Sequence, residues 1–451
     1  MDSRRTQALT KDHNGHERRR DREKTTIKPS VESQARRGDD SRHLSAEGPH
    51  LSTTRKRPWI AVGAVMFGVA WGANQFVPLI LAYHQLLGLT VKTNQALFGI
   101  YALGLVPALL LGGPLSDRWG RSRILQPAAV CSVLATVVLV VESRSPLALY
   151  FGRFLAGVAS GAVFAVGTAW IKELSRPPYD VDAGEQAGAR RATIALSAGF
   201  GLGPLIAGVI GEWSPSPLIV SYLPHLALMA VVIPRAWRAP ETVDTEHPTP
   251  SSVLSRLRVP AVKHLRFLTV VVPLAPWVFS APAVAFVVLP AIVSAQTKGF
   301  GIVFAGVCAG LTLTTGVLIQ PLARRLDRIG SVRGAAMGLG SIIGGMLMAA
   351  LAASLHEWPL VLVADGLFGA GYGISLVSGL LEVQRLAGPD DLAGLTAVFY
   401  AITYLGFALP VVLAELVRFA SYPVLLVCLA IVGSASLAIL TVQSPRHSAH
   451  P

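Results

Sequence analysis

Charge is what this chain of 451 residues has least of. Asp, Glu, Lys and Arg make up 14% of it, against roughly 25% in an average soluble domain. Cysteine is nearly absent as well: Cys131, Cys308 and Cys428 each lie inside an apolar stretch, at spacings that form neither a disulfide framework nor a metal site. They read as small apolar residues of helices. The phosphate-cradling pattern G-x-x-x-x-G-K-[ST] is missing, which excludes ATP-driven work by this chain alone. Clusters of His, Asp or Glu are missing too; His356-Glu357 stands as a lone pair, so a membrane enzyme is not indicated. The first 57 residues have no apolar core of the signal-peptide kind. They carry fifteen Lys or Arg and nine Asp or Glu among few apolar residues, the composition of a disordered tail.

What the chain has instead is apolar residues, 52% of the total, collected into long runs. Twelve runs approach the ~20 residues that a helix needs to cross a bilayer. They fall near 58–83, 93–112, 124–142, 146–171, 192–212 and 217–235, then 267–294, 301–322, 334–354, 358–383, 393–416 and 421–442. In hydrocarbon the backbone must satisfy its own hydrogen bonds, so runs of this length are read as helices. Pro78, Pro107, Pro204, Pro273 and Pro410 fall inside runs. They would break a soluble helix, but packed membrane helices tolerate them.

The net charge of +13 sits mainly in the tail, densest at Arg18-Arg19-Arg20, and in alternate loops. Arg118, Arg121, Arg123, Arg190, Arg191, Arg324, Arg325 and Arg328 lie on one side; the other side holds Lys92, Arg144, Lys298 and Arg418. The positive-inside rule therefore places both termini in the cytoplasm, with helix 1 as the membrane-targeting signal. A basic tail beside anionic lipid needs no nucleic-acid partner.

The longest internal loop, 236–266, carries a Pro/Thr/Ser-rich stretch from Pro240 to Ser252 and a basic segment from Arg256 to Arg266. It divides the runs six and six. The expected organisation is a tail at 1–57, a six-helix bundle at 58–235, a cytoplasmic linker at 236–266, a second bundle at 267–442 and a short tail at 443–451. A weak repeat points the same way. Arg153, Gly157 and Gly161 step by four in helix 4, as Asp365, Gly369 and Gly373 do in helix 10; Pro114-Leu115 and Pro321-Leu322 end helices 2 and 8. Such repeats typify secondary transporters, whose substrate site lies between the halves.

Between helices 2 and 3 the chain reads Gly113-Pro114-Leu115-Ser116-Asp117-Arg118-Trp119-Gly120-Arg121-Ser122-Arg123. Asp117 stands four residues before Arg121, Gly120 allows a turn that a Cβ would obstruct, and Gly113 is expected to let helix 2 approach a neighbouring backbone. This loop resembles the signature G-x-L-x-D-R-x-G-R-[RK] of the major facilitator superfamily, with Ser122 where a second basic residue is usual. The resemblance covers nearly all of 58–442. It implies an all-α integral membrane protein of twelve transmembrane helices in two six-helix bundles, working as a monomer without a cofactor. It also implies that Asp117 faces the N-terminal end of helix 11 and latches the bundles on the cytoplasmic side.

Helix 4 places Arg153 about two turns inside an apolar run, where a charge by default marks function. Arg153 and Gly157 match the family's R-x-x-x-G pattern, with Ala156 where its antiporters often have Gln; the resemblance implies a coupling role. An arginine snorkelling to the outer surface is the other reading. In helix 5, Gly199, Gly203, Pro204 and Gly208 resemble the antiporter motif G-x-x-x-G-P-x-x-G-G of the exporter branches, with Ala207 for one Gly. Ordinary glycine-rich packing is the alternative.

Asp365 is the other charge expected to be buried. Burial favours the neutral carboxyl, as suits a group that takes up and releases a proton; a structural pair with a nearby basic group is the second reading. Helix 1 carries Asn74 and Gln75 where many drug/proton antiporters carry an acid. Trp71, Asn74, Gln75 and Pro78 share a face at helical spacing, and with Trp277, Tyr400 and Tyr404 they are candidates for the substrate cavity. The expected function is proton-driven efflux of small amphipathic or drug-like molecules across the cell membrane. The alternative is a proton symporter importing a sugar, organic acid or amino acid.

Overall fold

The computed structural model describes residues 57–243, 260–326, 332–388 and 392–443. The tail before residue 57, most of the linker (244–259) and the residues after 443 lie outside the described residues, and with them the expectations placed there. Twelve helices are long and apolar enough to cross a membrane: α1 Trp59–Leu87, α2 Val91–Trp119, α3 Arg121–Val141, α4 Pro146–Glu173, α5 Ala187–Trp213, α6 Pro217–Ala236, α7 Phe267–Ile292, α8 Gly301–Leu326, α9 Arg333–Leu355, α10 Trp358–Leu386, α11 Gly394–Leu416 and α12 Tyr422–Val442. Each is continuous enough to close its backbone hydrogen bonds internally, which a bilayer demands. The chain is a multi-pass α-helical membrane protein. Below, the proximal end is the one where α1 begins and α12 ends; the distal end is opposite.

The connections are tight where the sequence supplies turn chemistry. Gly88 ends α1 in the left-handed region at φ 65°, and Thr90 caps α2 by accepting a hydrogen bond from the Thr93 N–H. The turn between α2 and α3 is a single residue, Gly120, at φ 101°. The stretch Gly113–Trp119 is therefore not loop but the proximal end of α2.

Prolines and polar residues bend the helices nearest the middle. α1 is interrupted at Gln75. α7, with prolines at 273, 276, 282 and 290, opens into π-helical turns at Phe267–Val271 and Val284–Val288. α11 tightens to a 3-10 turn at Leu405–Ala408, where Gly406 comes so close to α7 that a Cβ would stand 2.8 Å from the Phe279 carbonyl carbon. π and 3-10 segments of this kind are often found at functional sites. α1 and α7 are also the most enclosed spans, with 78% of an apolar 18-residue stretch buried in each, against 28% in α12. They line the middle, while large apolar side chains elsewhere, such as Leu147 and Phe419, project outward.

Lipid is as apolar as leucine, so close fit rather than hydrophobicity holds the helices together. The tightest fits repeat in the two halves. Gly157 and Gly161 of α4 press on the backbone at Tyr101 and Leu105 of α2; Gly369 and Gly373 of α10 press on Thr312 and Gly316 of α8. The sequence offsets are 56 and 56 in the first half, 57 and 57 in the second. The glycine steps seen in the sequence thus occupy matching positions.

Candidate functional site

Between the halves lies a cavity of about 350 Å³, within the range of small-molecule sites. Nine of its eighteen described lining residues are aromatic: Tyr101, Phe164, Phe200, Phe279, Phe286, Tyr372, Tyr400, Tyr404 and Phe407. Asn74 and Thr168 add polar groups, and no lining residue carries a formal charge. The bends of α7 and α11 bring the rings together. Phe279 stacks on Tyr404 with centroids 4.6 Å apart and meets Phe407 at 5.2 Å.

Of the residues expected at the cavity, Asn74, Tyr400 and Tyr404 line it. Gln75 does not, because the turn that interrupts α1 at this residue directs it into the first half. Its Nε2 reaches Thr136 Oγ1 at 3.4 Å, and that hydroxyl also meets Nδ1 of the buried His225 at 3.0 Å. Trp71 packs edge-to-face on Phe67 with its backbone against Gly203. Trp277 turns away to α12, where its indole N–H donates to Ser436 Oγ at 3.2 Å. Both are packing residues. The sequence reading missed Tyr101, Phe279 and Phe407, because a single aromatic in an apolar run gives no sign of which face it occupies.

Arg153 does not snorkel; it is 1% exposed. Its guanidinium donates to the carbonyls of Leu97 at 3.3 Å and Ala73 at 3.2 Å. It lies over the rings of Phe76 and Tyr101, at 4.6 and 4.7 Å from their centroids. Carbonyl dipoles and ring faces thus stabilise a cation that α1, α2 and α4 share. Tyr101 has one face toward Arg153 and also lines the cavity.

Asp365 is fully buried, and neither carboxylate oxygen has a hydrogen-bond partner. No basic side chain pairs with it among the described residues, so the structural ion pair is absent. The Cys308 thiol of α8 lies beside it. An orphaned carboxylate here would be costly if charged and costs much less when protonated.

The signature stretch forms a charge cluster at the proximal end. Arg121 meets Asp117 at 2.6 Å, Glu173 at 2.7 and 3.2 Å and Ser116 Oγ at 2.6 Å. Arg118 is exposed. Gly113 is not a close-approach glycine: nothing lies within 4 Å of where its Cβ would stand, whereas one at Gly112 would stand 3.2 Å from Ala162 Cα. One residue turns the helix by 100°, enough to carry Gly113 off the α4-facing side. The expected latch would run from Asp117 to the N-terminal end of α11, and residues 389–391 just before that helix lie outside the described residues.

Glu241, just beyond α6, is an addition that the sequence reading did not pick out. Its carboxylate accepts from the backbone N–H groups of Arg121 and Ser122, both at 2.9 Å, and from Ser122 Oγ at 3.0 Å. It thereby caps α3, and Ser122, the departure from the family pattern, takes part in the cap. Trp170 Nε1 donates to the Pro240 carbonyl at 3.0 Å and holds the segment in place. Burial alone would raise the Glu241 carboxyl, but the backbone N–H groups of Ser122, Arg121, Val243 and Thr242 outweigh it and hold the group below the ordinary 4.5. A carboxyl depressed on folding contributes stability that is complete above its unfolded value and is lost as pH falls through the folded value. Protection of the Arg121 and Ser122 amides, read as exchange relative to the intrinsic rate at each pH, is therefore expected to fall as pH drops through the folded value of the Glu241 carboxyl. Glu241→Gln should remove that acid dependence; a protection factor that stays constant over the acid range in the wild type would refute the cap.

The glycine motif of α5 sits at a crossing. Gly199 and Gly203 pack on Phe67 and Trp71 of α1, whereas a Cβ at Gly208 would stand 3.0 Å from the Ile302 carbonyl of α8, and one at Gly306 would stand 2.7 Å from the Pro204 carbonyl. The motif therefore brings the two halves together. Beyond it, Glu212 Oε2 accepts from the N–H groups of Ile302 at 2.7 Å and Val303 at 3.2 Å, capping α8 from the other half. Lys92 and Glu415 pair across the same distal end at 2.5 Å. That pair is exposed and contributes little; the Glu212 cap is charge-assisted and less exposed, worth about 1 kcal/mol. Glu212→Ala is expected to broaden the distance distribution between spin labels at Leu86, in the last turn of α1, and Gln296, in the turns after α7, both at the distal end. An unchanged distribution would show that the cap is dispensable.

The Major Facilitator Superfamily model matches residues 59–411. The chain is 26% identical over 382 residues to the chloramphenicol resistance protein of Pseudomonas aeruginosa, covering 79% of this chain and 84% of that one. A shorter stretch of 76 residues is 33% identical to the multidrug resistance protein MdtL of Escherichia coli, 17% of this chain and 19% of that protein. Among solved structures, the nucleoside transporter NupG (D323A mutant) superimposes with a TM-score of 0.69 at 13% identity, over 86% of this chain and 99% of that one. The last likeness concerns the fold alone. With twelve membrane helices, a cavity between two halves and a family match across most of its length, the chain belongs to the Major Facilitator Superfamily and is a transport protein rather than an enzyme.

Proposed function

We propose that this transporter exports small amphipathic or drug-like molecules in exchange for protons, by rocking its two halves about the central cavity. The observation that carries the reading is the cavity itself, aromatic and uncharged, in a protein that also buries a carboxyl, Asp365, away from any basic partner among the described residues. Two relatives named for drug resistance support efflux. The position of the α5 glycine motif at the crossing of the halves supports an exchange cycle over uptake.

In this reading both termini are cytoplasmic, in the plasma or inner membrane, and the proximal end is the cytoplasmic one. The Glu212 and Lys92 contacts close the distal end, and the cavity extends through Leu109, Thr168 and Leu376 on the proximal side of them. The arrangement is then inward-facing, ready to load from the cytoplasm and the inner leaflet. Asp365 carries the proton, and Arg153 holds α1, α2 and α4 together as the first half moves. The site is complete within one chain, so a monomer suffices.

The test is proton movement in inside-out vesicles containing the purified protein under an imposed proton gradient. Proton release from the lumen is expected on adding amphipathic aromatic compounds, with none on adding sugars or amino acids. A response to a nutrient alone would favour the proton symporter.

A further inference from the structure

We infer that the central cavity selects an uncharged, aromatic, mildly polar molecule and rejects lipophilic cations, with Arg153 as the fixed charge that sets this preference. The inference rests on the transport reading above and narrows it to a substrate class.

Size and lining come first. A cavity of about 350 Å³ with nine aromatic rings suits a flat molecule of one to three rings. Its described polar groups, Asn74, Thr168 and four tyrosines, are all formally neutral. They match a ligand with a few hydroxyl, amide or similar groups, and they supply no carboxylate to replace the hydration of a cation.

An aromatic wall by itself would attract cations through its ring faces. Here several of those faces are taken. Arg153 lies over the Tyr101 ring at 4.7 Å. Phe279 and Tyr404 stack on each other at 4.6 Å, and Tyr400 stacks on Tyr404 at 6.1 Å.

The long-range field works the same way. Arg153 is positive, and the hydrogen bonds it donates go to carbonyls, with no acid pairing it among the described residues. One aromatic ring separates it from the cavity, in a medium that screens poorly. Asp365 does not offset it at the wall, since it faces Cys308, which is not among the lining residues. A cation in the cavity therefore meets uncompensated repulsion, and a neutral ring system does not. An anion would gain from the field but finds no charged donor at the wall.

The experiment uses the purified full-length protein in lipid nanodiscs and three aromatic probes: neutral N-phenyl-1-naphthylamine, anionic 1-anilinonaphthalene-8-sulfonate and cationic tetraphenylphosphonium. Binding is measured directly, with displacement of the neutral dye for the cation, so the result does not depend on transport direction or proton coupling. The neutral probe is expected to bind about tenfold or more tightly than either ion. Leu376→Glu, which adds a carboxylate to the wall, should improve cation binding about tenfold and weaken the neutral probe. Arg153→Gln, if it inserts normally, should relax the rejection of the cation without the added acid. Equal or tighter cation binding by the wild type would overturn the inference and leave efflux standing. Failure of all three probes to bind would overturn it too. Neutral binding without proton-linked movement would uphold the inference and overturn the transport mechanism.

Discussion

Asp365→Asn is expected to leave the protein inserted and at least as stable as the wild type, and to abolish the dependence of transport on the proton gradient. Asn has nearly the shape of Asp. The native carboxyl is buried with only the Cys308 thiol beside it, so the substitution disturbs at most a weak thiol contact. Where an isolated charge would have to be desolvated, a neutral amide removes the difficulty. A proton carrier must lose and regain its charge in each cycle, and an amide cannot. Exchange of substrate down its own gradient is expected to persist, while accumulation against a gradient disappears. The paired measurement is the melting temperature and the pH dependence of transport in vesicles. A large fall in stability would mean that the carboxyl has a structural partner; an unchanged pH dependence would remove Asp365 as the carrier.

Gly157→Ala is expected to be the most damaging single-methyl change in the first half, and Gly113→Ala to be nearly silent, although both glycines belong to patterns matched from the sequence. At Gly157 the new Cβ would collide with the Tyr101 carbonyl oxygen and stand 2.9 Å from the Leu105 amide nitrogen. Both are backbone atoms of α2, which cannot turn aside as a flexible side chain can. Separating α2 from α4 would also disturb the hydrogen bond from Arg153 to the Leu97 carbonyl. Destabilisation of about 2–4 kcal/mol follows from overpacking of this kind. It should appear as a lower melting temperature and a loss of transport of tenfold or more. At Gly113 a methyl group meets open space. A Gly157→Ala protein with wild-type stability would mean that the two helices are not packed this closely.

Arg153 and Asp365 stood out because a charge in an apolar run is costly, and both are buried. The glycine steps of α4 and α10 stood out because small residues every fourth position form one helical face, and that face meets α2 and α8. Gly113, expected from the signature stretch to let α2 approach a neighbouring backbone, faces open space instead. Trp71, Gln75 and Trp277 were placed at the cavity on residue type, yet they turn toward neighbouring helices. Glu241 and Glu212 are single acids near helix ends, and nothing in their neighbourhoods reveals that each caps a helix distant in sequence.

Hydropathy by itself determined that the chain crosses a membrane as twelve helices, because the bilayer fixes both the length of a span and its hydrogen bonding. The signature stretch determined its kinship. Only the tertiary structure decided which aromatic rings face one another across the cavity and which charged groups have partners. The reason is geometric. A run that is apolar on all sides has no periodicity to distinguish its lipid-facing side from its cavity-facing side. Turns in α1, π segments in α7 and a 3-10 segment in α11 then rotate the faces away from ideal helical register. Which side chains meet is settled by close packing between helices far apart in sequence.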